Sequence, residues 1–365
     1  MIMHHPVDVR DFLSGEFIVS SASLSPELLS WALAHLDAEP SRVAVQAVTG
    51  DASARRYFRL RHEGGASVML VDAPPDSQKN ADFLSVRRLL ADAEIRVPAL
   101  QAVDLSRGYL LLEDLGDGLL LPRLDARNVD DWYARAGSVL LHFAALPLDS
   151  LDLPDYGSPL LLEELSRFSA WFCERLLGLT LSPAEQRLLH ELDGLLVGSA
   201  LAQPRVFVHR DFHSRNLMVL ADDSLAVIDF QDAVVGPVTY DLVSLLRDCY
   251  LRWPEARVTT WALEHRDRLF AAGLLPQVDD RTWLRWLDWM GLQRHLKVLG
   301  TFARLSLRDD KHAYLEDLPR VLCHIEAVLQ SHAGDEPAVA RFQDWFVRRV
   351  LPSARRQHWW CEAGA

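Results

Sequence analysis

The segment from Arg205 to Asp229 limits the possible folds more than any other part of the chain. It begins with the apolar run RVFVH and continues through the polar loop RDFHSRN. Two short apolar runs follow, LMVL and LAVID, joined by the turn residues ADD. Apolar runs on either side of a tight turn predict a β-hairpin. The hairpin would bring the polar loop close to the end of its returning strand.

The first third of the chain has a different character. Ser25 and Pro26 begin a run with helical periodicity, because serine is a good helix cap and proline suits the first turn. Between Val43 and Pro75, three β-rich runs, VAVQAV, RYFRL and SVMLVDA, are separated by turn-forming residues and predict an antiparallel sheet. The helical run DFLSVRRLLADA and one further strand, GYLLLE, precede the turn DLGDG.

The rest of the chain is mainly helical outside the interrupting segment. Ser182 and Glu185 form a predicted capping box ahead of a leucine-rich helix. A last amphipathic helix is predicted over 337–350, ended by Pro352. We therefore expect an α+β fold of two lobes, a β-rich N-terminal lobe over residues 1–115 and a mainly helical C-terminal lobe over residues 116–365.

Composition excludes several classes of function. Thirty-eight basic and 51 acidic residues give a formal net charge of −13, so most of the surface would repel nucleic-acid phosphates. No apolar run reaches the roughly 20 residues that span a bilayer, and the N-terminus lacks a signal-peptide core. The four cysteines are widely separated and predict neither a zinc ribbon nor a disulfide framework. We expect a cytoplasmic enzyme with no nucleic-acid, membrane or obligate protein partner.

Three side chains of the interrupting segment match the requirements of phosphoryl transfer. That reaction needs a carboxylate near the acceptor hydroxyl and oxygen ligands for Mg²⁺ on the nucleotide phosphates. Asp211 begins the loop, Asn216 follows five residues later, and Asp229 ends the returning strand of the hairpin. A single Asp or Asn is usually a turn residue or a helix cap. Three together, between strands, predict a kinase with ATP as phosphoryl donor.

The same residues resemble a known family. HRDFHSRN followed by VIDFQDA is similar to the catalytic loop and metal-binding segment of the aminoglycoside phosphotransferase and choline kinase superfamily, whose fold is similar to that of protein kinases. The segment GPVTYDL extends the resemblance. It implies that Asp211 orients or deprotonates the acceptor hydroxyl and that Asn216 and Asp229 bind Mg²⁺. His209 and Asp241 would support the loop.

The resemblance also implies nucleotide contacts in the N-terminal lobe. GDASARRYFRL takes the place of a phosphate-covering loop, and LEDLG resembles an adenine-binding hinge that contacts the base through backbone groups. The candidate nucleotide contacts are Gly50, Ser53, Arg55, Arg56, Glu113 and Leu115.

One position departs from the pattern of the superfamily. Asp72 stands where relatives carry a phosphate-pairing Lys or Arg, and a carboxylate cannot pair with phosphate. Either Arg55 or Arg56 supplies the positive charge, or the strand register differs by one residue. Lys79 is a more distant candidate.

The motifs taken together, from about residue 25 to 328, resemble one group within this superfamily. These are bacterial cell-wall recycling kinases that phosphorylate the anomeric hydroxyl of N-acetylmuramate and N-acetylglucosamine. The resemblance implies an amino sugar as acceptor, and the Asp72 departure is then a trait of the group. Candidate sugar contacts are His213, Gln231, Asp232, Gln293 and Arg294. The lactyl carboxylate of N-acetylmuramate could meet Arg294, His295, Lys297 or Arg304.

Four alternatives remain open at this point. Another small-molecule kinase of the superfamily would act on an aminoglycoside, choline or another alcohol. A protein kinase is disfavoured because DFQ replaces DFG and no APE segment follows. A zinc hydrolase would use His209, Asp211 and His213 on one face of a strand. A catalytically inactive scaffold would be excluded by measurable ATP turnover.

Overall fold

The computed structural model describes residues 24–48, 55–63, 67–148, 152–332 and 334–361. They divide into two compact units. The first contains the described residues up to Leu84 together with Pro98–Gly116, and the second contains Ser85–Val97 and the described residues from Asp117 onward. The last junction lies close to the predicted division after residue 115, whereas Ser85–Val97 groups with the second unit. A nucleotide-binding role for the first lobe stays a prediction.

The first unit is built on an antiparallel sheet, as predicted. Helix α1 begins after Ser25, whose side chain accepts a hydrogen bond from Leu28 N at 3.1 Å. The five strands pair in the order β1-β2-β3-β5-β4, and helix α2 lies between β3 and β4 in the chain. The elements in this part of the chain are α1 (Pro26–Leu36), β1 (Val43–Val48), β2 (Arg56–His62), β3 (Ser67–Asp72), α2 (Asn80–Asp92), β4 (Leu100–Asp104) and β5 (Tyr109–Glu113). The part of α2 after Leu84 is grouped with the second unit.

The core of this unit lies between α1 and the sheet. Leu28 and Leu70 are fully buried, and the rings of Trp31 and Tyr109 lie 5.7 Å apart. Strand β4 is not predicted from the sequence. Its residues, LQAVD, are alternately half-buried and exposed at the edge of the sheet, so they lack the strong apolar signal of a central strand.

The second unit is mainly helical and is organised around one long helix, α8. This helix contacts α4, α5, α6, α7 and α9. The predicted capping box at the start of α5 is confirmed. The helices are α3 (Val129–Ala144), α4 (Ser158–Arg167), α5 (Pro183–Leu201), α6 (Tyr240–Leu246), α7 (Glu255–Ala271), α8 (Asp280–Asp309), α9 (Leu318–His332), α10 (Pro337–Trp345) and α11 (Leu351–Ala354). In the described residues, no helix is both long and apolar enough to cross a membrane.

Two pairs of short strands interrupt the helices of the second unit. Strands β7 (Leu217–Val219) and β8 (Leu225–Val227) pair antiparallel, which confirms the predicted hairpin. Strand β6 (Arg205–Val208), which corresponds to the apolar run RVFVH, pairs with β9 (Val234–Pro237). Strand β9 is not predicted from the sequence. Strand β6 precedes the hairpin in the chain and β9 follows it. Their pairing therefore encloses the polar loop and the hairpin in one folded segment.

The predicted end of the last helix at Pro352 is wrong. Helix α10 continues as a π-helical segment, Phe346–Val350, and then as α11. Pro352 lies in the first turn of α11, where the missing N–H of a proline costs little. The π-helical turn changes the hydrogen-bond register just before it, which lets the chain continue through the proline.

Candidate active site

The backbone of the loop that follows β6 is held by a carboxylate from a distant part of the chain. Asp241, in the first turn of α6, accepts hydrogen bonds from His209 N at 2.6 Å and Arg210 N at 3.0 Å. Burial raises the pKa of Asp241 to about 7, although these two N–H donors act in the opposite direction. Arg210 adopts a left-handed conformation with a φ of 77°. The carboxylate therefore secures the backbone turn that places Asp211.

His209 uses both of its ring nitrogens inside the protein. Its Nε2 donates to Ile228 O at 3.0 Å, and its Nδ1 accepts from Asp211 N at 3.3 Å. The side chain is fully buried, and burial lowers its pKa to about 4, so the ring is neutral. Neither nitrogen has a lone pair left for a metal ion. The zinc alternative thereby loses one of its three candidate ligands.

The hairpin brings Asn216 next to the residue that precedes Asp229. Ile228 N donates to Asn216 O at 3.1 Å, and Asn216 Nδ2 donates to Asp211 O at 2.9 Å. Asp229 has a φ of 65°, and its Oδ1 accepts a hydrogen bond from Gln231 Nε2 at 2.8 Å. Asn216 is thus bonded to Asp211 through its side chain and to the residue before Asp229 through its backbone.

A second carboxylate anchors the middle of the loop. Asp248, which is fully buried just after α6, accepts hydrogen bonds from Ser214 N at 3.0 Å and Ser214 Oγ at 2.5 Å. A role for Asp248 is not predicted from the sequence. The motif RD, at 247–248, offers no local sign that the carboxylate is buried against a loop 34 residues earlier.

Three cations surround Asp211. Burial by itself would raise the pKa of this carboxyl, but charge interactions with Lys297, His213, Arg210 and Arg294 outweigh burial and hold the pKa well below its usual range. The carboxylate is therefore ionised throughout the physiological pH range. An ionised carboxylate at this position can accept a hydrogen bond from an acceptor hydroxyl.

A buried glutamate in helix α4 completes this charge cluster. Glu164 has no exposed surface and is ion-paired with Arg210, while Lys297 Nζ lies 3.5 Å from its Oε1. Tyr156 OH donates to Glu164, and Gln293 Nε2 lies 3.4 Å from its Oε2. Glu164 is not predicted from the sequence, because SPLLLEELSR has the pattern of an ordinary amphipathic helix, in which neighbouring glutamates are expected on the surface.

The predicted sugar contacts occupy two kinds of environment. His213, Gln231 and Asp232 are half-buried around the loop and the hairpin. Gln293 and Arg294 are buried in α8, and Arg294 Nη1 lies 3.2 Å from Cys249 Sγ.

Of the three further candidates for the lactyl carboxylate, His295 and Lys297 are buried and Arg304 is half-buried. His295 Nε2 donates to Arg247 O at 2.9 Å, and Lys297 Nζ donates to Tyr240 OH at 3.0 Å. Arg304 is half-buried further along α8. Which of these residues contacts a sugar stays a prediction.

The predicted phosphate contacts belong to the first unit. Gly50 and Ser53 lie outside the described residues. Arg56 forms an ion pair with Asp72, directly opposite on the neighbouring strand. The guanidinium of Arg55 lies 4.9 Å from the centre of the Phe83 ring. Asp72 is therefore neutralised by Arg56.

The predicted hinge is stabilised by a buried ion pair that the sequence analysis missed. Arg59 Nε lies 2.7 Å from Asp114 Oδ2, and both side chains are buried. Asp114 also accepts from Ser67 Oγ at 2.6 Å and from Gly116 N at 3.0 Å, which fixes the backbone around Leu115. Glu113 directly precedes Asp114. Its N–H donates a hydrogen bond to Ala99 O at 2.8 Å, so this donor already has a partner within the protein.

Solved structures show which class of fold this is. Choline kinase LicA from Streptococcus pneumoniae superposes with a TM-score of 0.59 at 13% identity, covering 82% of this chain and 98% of that chain. ADP-bound aminoglycoside phosphotransferase APH(2'')-Ib gives a TM-score of 0.56 at 13% identity, with the same coverage. The predicted protein-kinase-like fold is confirmed.

The sequence of the chain identifies its family. The model of the phosphotransferase enzyme family matches residues 44–287, and the chain belongs to this family. An N-acetylmuramate/N-acetylglucosamine kinase of Pseudomonas putida is 43% identical over 297 residues, which cover 81% of this chain and 86% of the relative. The resemblance noted from the motifs and the prediction of a phosphotransferase acting on an alcohol group are thereby confirmed.

Proposed function

We propose that the protein is an ATP- and Mg²⁺-dependent kinase that phosphorylates the anomeric hydroxyl of N-acetylmuramate and N-acetylglucosamine, in the cytoplasm, during peptidoglycan recycling. The observation that carries this proposal is the 43% identity to the P. putida kinase named for these two sugars. The ADP-bound structural neighbour supports a nucleotide as the phosphoryl donor. The arrangement of the loop around Asp211 supports the reaction itself.

In this proposal Asp211 acts on the acceptor hydroxyl. Its carboxylate accepts the hydroxyl hydrogen bond and aims the oxygen at the γ-phosphorus of ATP. As the new O–P bond forms, the bond from phosphorus to the β-phosphate oxygen breaks, and ADP leaves. Because the low pKa makes Asp211 a weak base, the carboxylate receives the proton late, and orientation is its larger contribution.

Asn216 and Asp229 would hold Mg²⁺. Asn216 is oriented by the hydrogen bond from its Nδ2 to Asp211 O, which leaves the amide oxygen Oδ1 to serve as a ligand. One carboxylate and one amide oxygen suit this hard cation, which typically takes one or two protein carboxylates together with substrate phosphates and water. When bound, Mg²⁺ would neutralise charge on the transferring phosphoryl group.

The remaining contacts are proposed from their positions. Backbone groups of Glu113 and Leu115 would contact adenine, and Arg55 or Arg56 would contact phosphate. His213, Gln231 and Asp232 are the half-buried candidates for hydrogen bonds with the sugar, and Gln293 and Arg294 are the buried ones. ATP and the amino sugar are the only partners that the function requires.

A substrate screen tests the proposal. Purified protein is incubated with ATP, Mg²⁺ and each amino sugar, and ADP release is followed together with the loss of reducing ends. We expect both sugars to react, a 6-deoxy analogue to react, and a 1-deoxy analogue to fail. Phosphate on the 6-hydroxyl, or turnover with choline or an aminoglycoside but with neither sugar, would overturn the proposal while leaving the family assignment intact.

A further inference from the structure

The Glu164 cluster lies beside the catalytic loop and has no role in the function described so far. We define it as Glu164, Arg210, Lys297, Tyr156 and Tyr240. Glu164 is fully buried, and Lys297 and Tyr240 are joined by a hydrogen bond of 3.0 Å. The cluster gathers residues from α4, α6, α8 and the loop around one carboxylate.

Glu164 neutralises part of the positive charge that lies around Asp211. The cations Arg210, Lys297 and Arg294 all interact with Asp211. Glu164 engages two of them, Arg210 directly and Lys297 at 3.5 Å. If the carboxylate of Glu164 were lost, Arg210 and Lys297 would lose an ion-pair partner beside Asp211, and burial makes an unpaired charge costly. Arg210 makes the more direct ion pair with Glu164, so its guanidinium is the cation most affected when that carboxylate is removed.

The position of Glu164 is rigid. A Cβ atom at Gly300 of α8 would overlap the backbone of Arg167, so α4 and α8 are in close contact three residues beyond Glu164. The neighbouring Glu163 has a half-exposed side chain and pairs with Arg167 at 2.7 Å. Adjacent glutamates of one helix thus differ completely in environment, which makes Glu163 a matched control.

We propose that Glu164 is a positioning residue for phosphoryl transfer, because its carboxylate pairs with Arg210 and Lys297, keeps either cation from forming an ion pair with Asp211, and so keeps Asp211 available to the acceptor hydroxyl. This inference rests on the proposed role of Asp211. Glu164 has no exposed surface through which it could contact a substrate. Its loss therefore acts on the chemical step and leaves the binding of ATP nearly unchanged.

The first test compares Glu164→Gln with Glu163→Gln, measuring kcat and the KM for ATP with N-acetylglucosamine as acceptor. We expect Glu164→Gln to lower kcat by about 10- to 100-fold, as a small misplacement of a catalytic group can do, with a KM for ATP within about threefold of wild type. Glu163→Gln should behave as wild type. A folded Glu164→Gln enzyme with more than half of the wild-type kcat would refute the proposal.

The second test asks whether Arg210 is the cation that interferes. The double variant Glu164→Gln/Arg210→Gln lacks both the guanidinium that would pair with Asp211 and the Glu164 carboxylate that binds this guanidinium. We expect this variant to recover at least about fivefold in kcat over Glu164→Gln alone, a non-additive effect of two groups in one network. A purely structural role for Glu164 predicts that the double variant is as slow as the single variant or slower, and that result contradicts the proposal.

Two controls keep the tests decisive. If Glu164→Gln fails to fold, the double variant, which loses one charge of each sign, carries the test: folded protein without turnover contradicts the proposal, and a kcat within about tenfold of wild type supports it. Asp211→Asn is assayed in parallel. Turnover in Asp211→Asn would defeat the proposed function and this inference with it, whereas an inactive Asp211→Asn beside a fully active Glu164→Gln defeats the inference alone.

Discussion

Two residues of the candidate site have left-handed backbone conformations that residues other than glycine rarely adopt. Arg210, with a φ of 77°, precedes Asp211, and Asp229, with a φ of 65°, ends the hairpin. Such conformations cost on the order of 1–3 kcal/mol each and persist where surrounding contacts impose them. The Asp241 carboxylate and the hydrogen bond from Gln231 supply such contacts here. One strained position directly precedes Asp211, and the other is Asp229 itself.

The role of Asp211 predicts a large effect on the chemical step alone. Asp211→Asn keeps the size of the side chain but removes the charge that aligns the hydroxyl and receives its proton. We expect kcat to fall by about 10²–10⁴-fold, with the affinity for ATP nearly unchanged. Steady-state kinetics together with nucleotide binding measured by calorimetry would check this. A variant that keeps most of its turnover would remove Asp211 from the mechanism.

The proposed metal ligand Asp229 should behave differently. Asp229→Ala removes a charged oxygen donor, so we expect weaker Mg²⁺-dependent binding of ATP as well as a lower kcat. Titrating Mg²⁺ at fixed ATP would show the half-saturating concentration moving upward. Asp222→Ala, which changes an exposed turn residue of the same hairpin, is the control and should leave the titration unchanged. An unaltered Mg²⁺ dependence in Asp229→Ala would make Asp229 a turn residue only.

At the scale of single elements, helix α5 combines a well-formed start with an unfavourable charge in its interior. Ser182 and Glu185 close the capping box reciprocally, with hydrogen bonds of 2.8 and 3.3 Å. Asp193, further along the helix, is half-buried, and burial raises its pKa to about 6 from the usual 3.8. The helix therefore tolerates a carboxylate where a neutral side chain would be more stable.

This raised pKa predicts a stability that depends on pH. Between about pH 4 and pH 6 the folded protein retains a proton on Asp193 that the unfolded chain has already released, so the free energy of unfolding falls as pH rises. Asp193→Asn removes this loss. We expect the variant to be more stable than wild type by about 1–2 kcal/mol at pH 8 and nearly equal at pH 4. Urea unfolding at both pH values tests this, and an equal difference at both would contradict it.

At the scale of the whole molecule, the hydrophobic cores of the two units are built from different elements. The first packs α1 onto its sheet. The second surrounds α8, whose buried face carries Gln293, Arg294, His295 and Lys297 among apolar residues. Buried charges of this kind persist only when they are paired and hydrogen-bonded. The helix therefore serves as a scaffold for the catalytic loop as well as a packing surface.

The close approach of α4 to α8 predicts an unusual response to a glycine substitution. Gly300→Ala would normally favour a helix, but its Cβ would overlap the backbone of Arg167 and push the helices apart. We expect a loss of about 1–3 kcal/mol and a lower Tm. In Gly194→Ala the new Cβ would meet no other described atom, so this control should be neutral or stabilising. Equal effects in thermal unfolding of the two variants would contradict close packing at Gly300.

The sequence by itself determined the local elements and the type of chemistry. Helix caps, alternating apolar runs and the turn at ADD are set by neighbouring residues, which is why α1, α5 and the β7–β8 hairpin follow from inspection. The loop HRDFHSRN carries Asp211 and Asn216 close together in the chain, so its composition already indicates phosphoryl transfer.

Only the tertiary structure decided which charges are buried and what they contact. Strand β9 becomes recognisable through its pairing with β6, and Asp241 reaches the backbone of a loop 32 residues earlier. Glu164 contacts Arg210 across 46 residues of sequence, and its neighbour Glu163 faces solvent. Local patterns report helix and strand propensity, whereas the burial of one carboxylate depends on which distant helices pack around it. The support of the candidate active site was therefore visible only once the chain was folded.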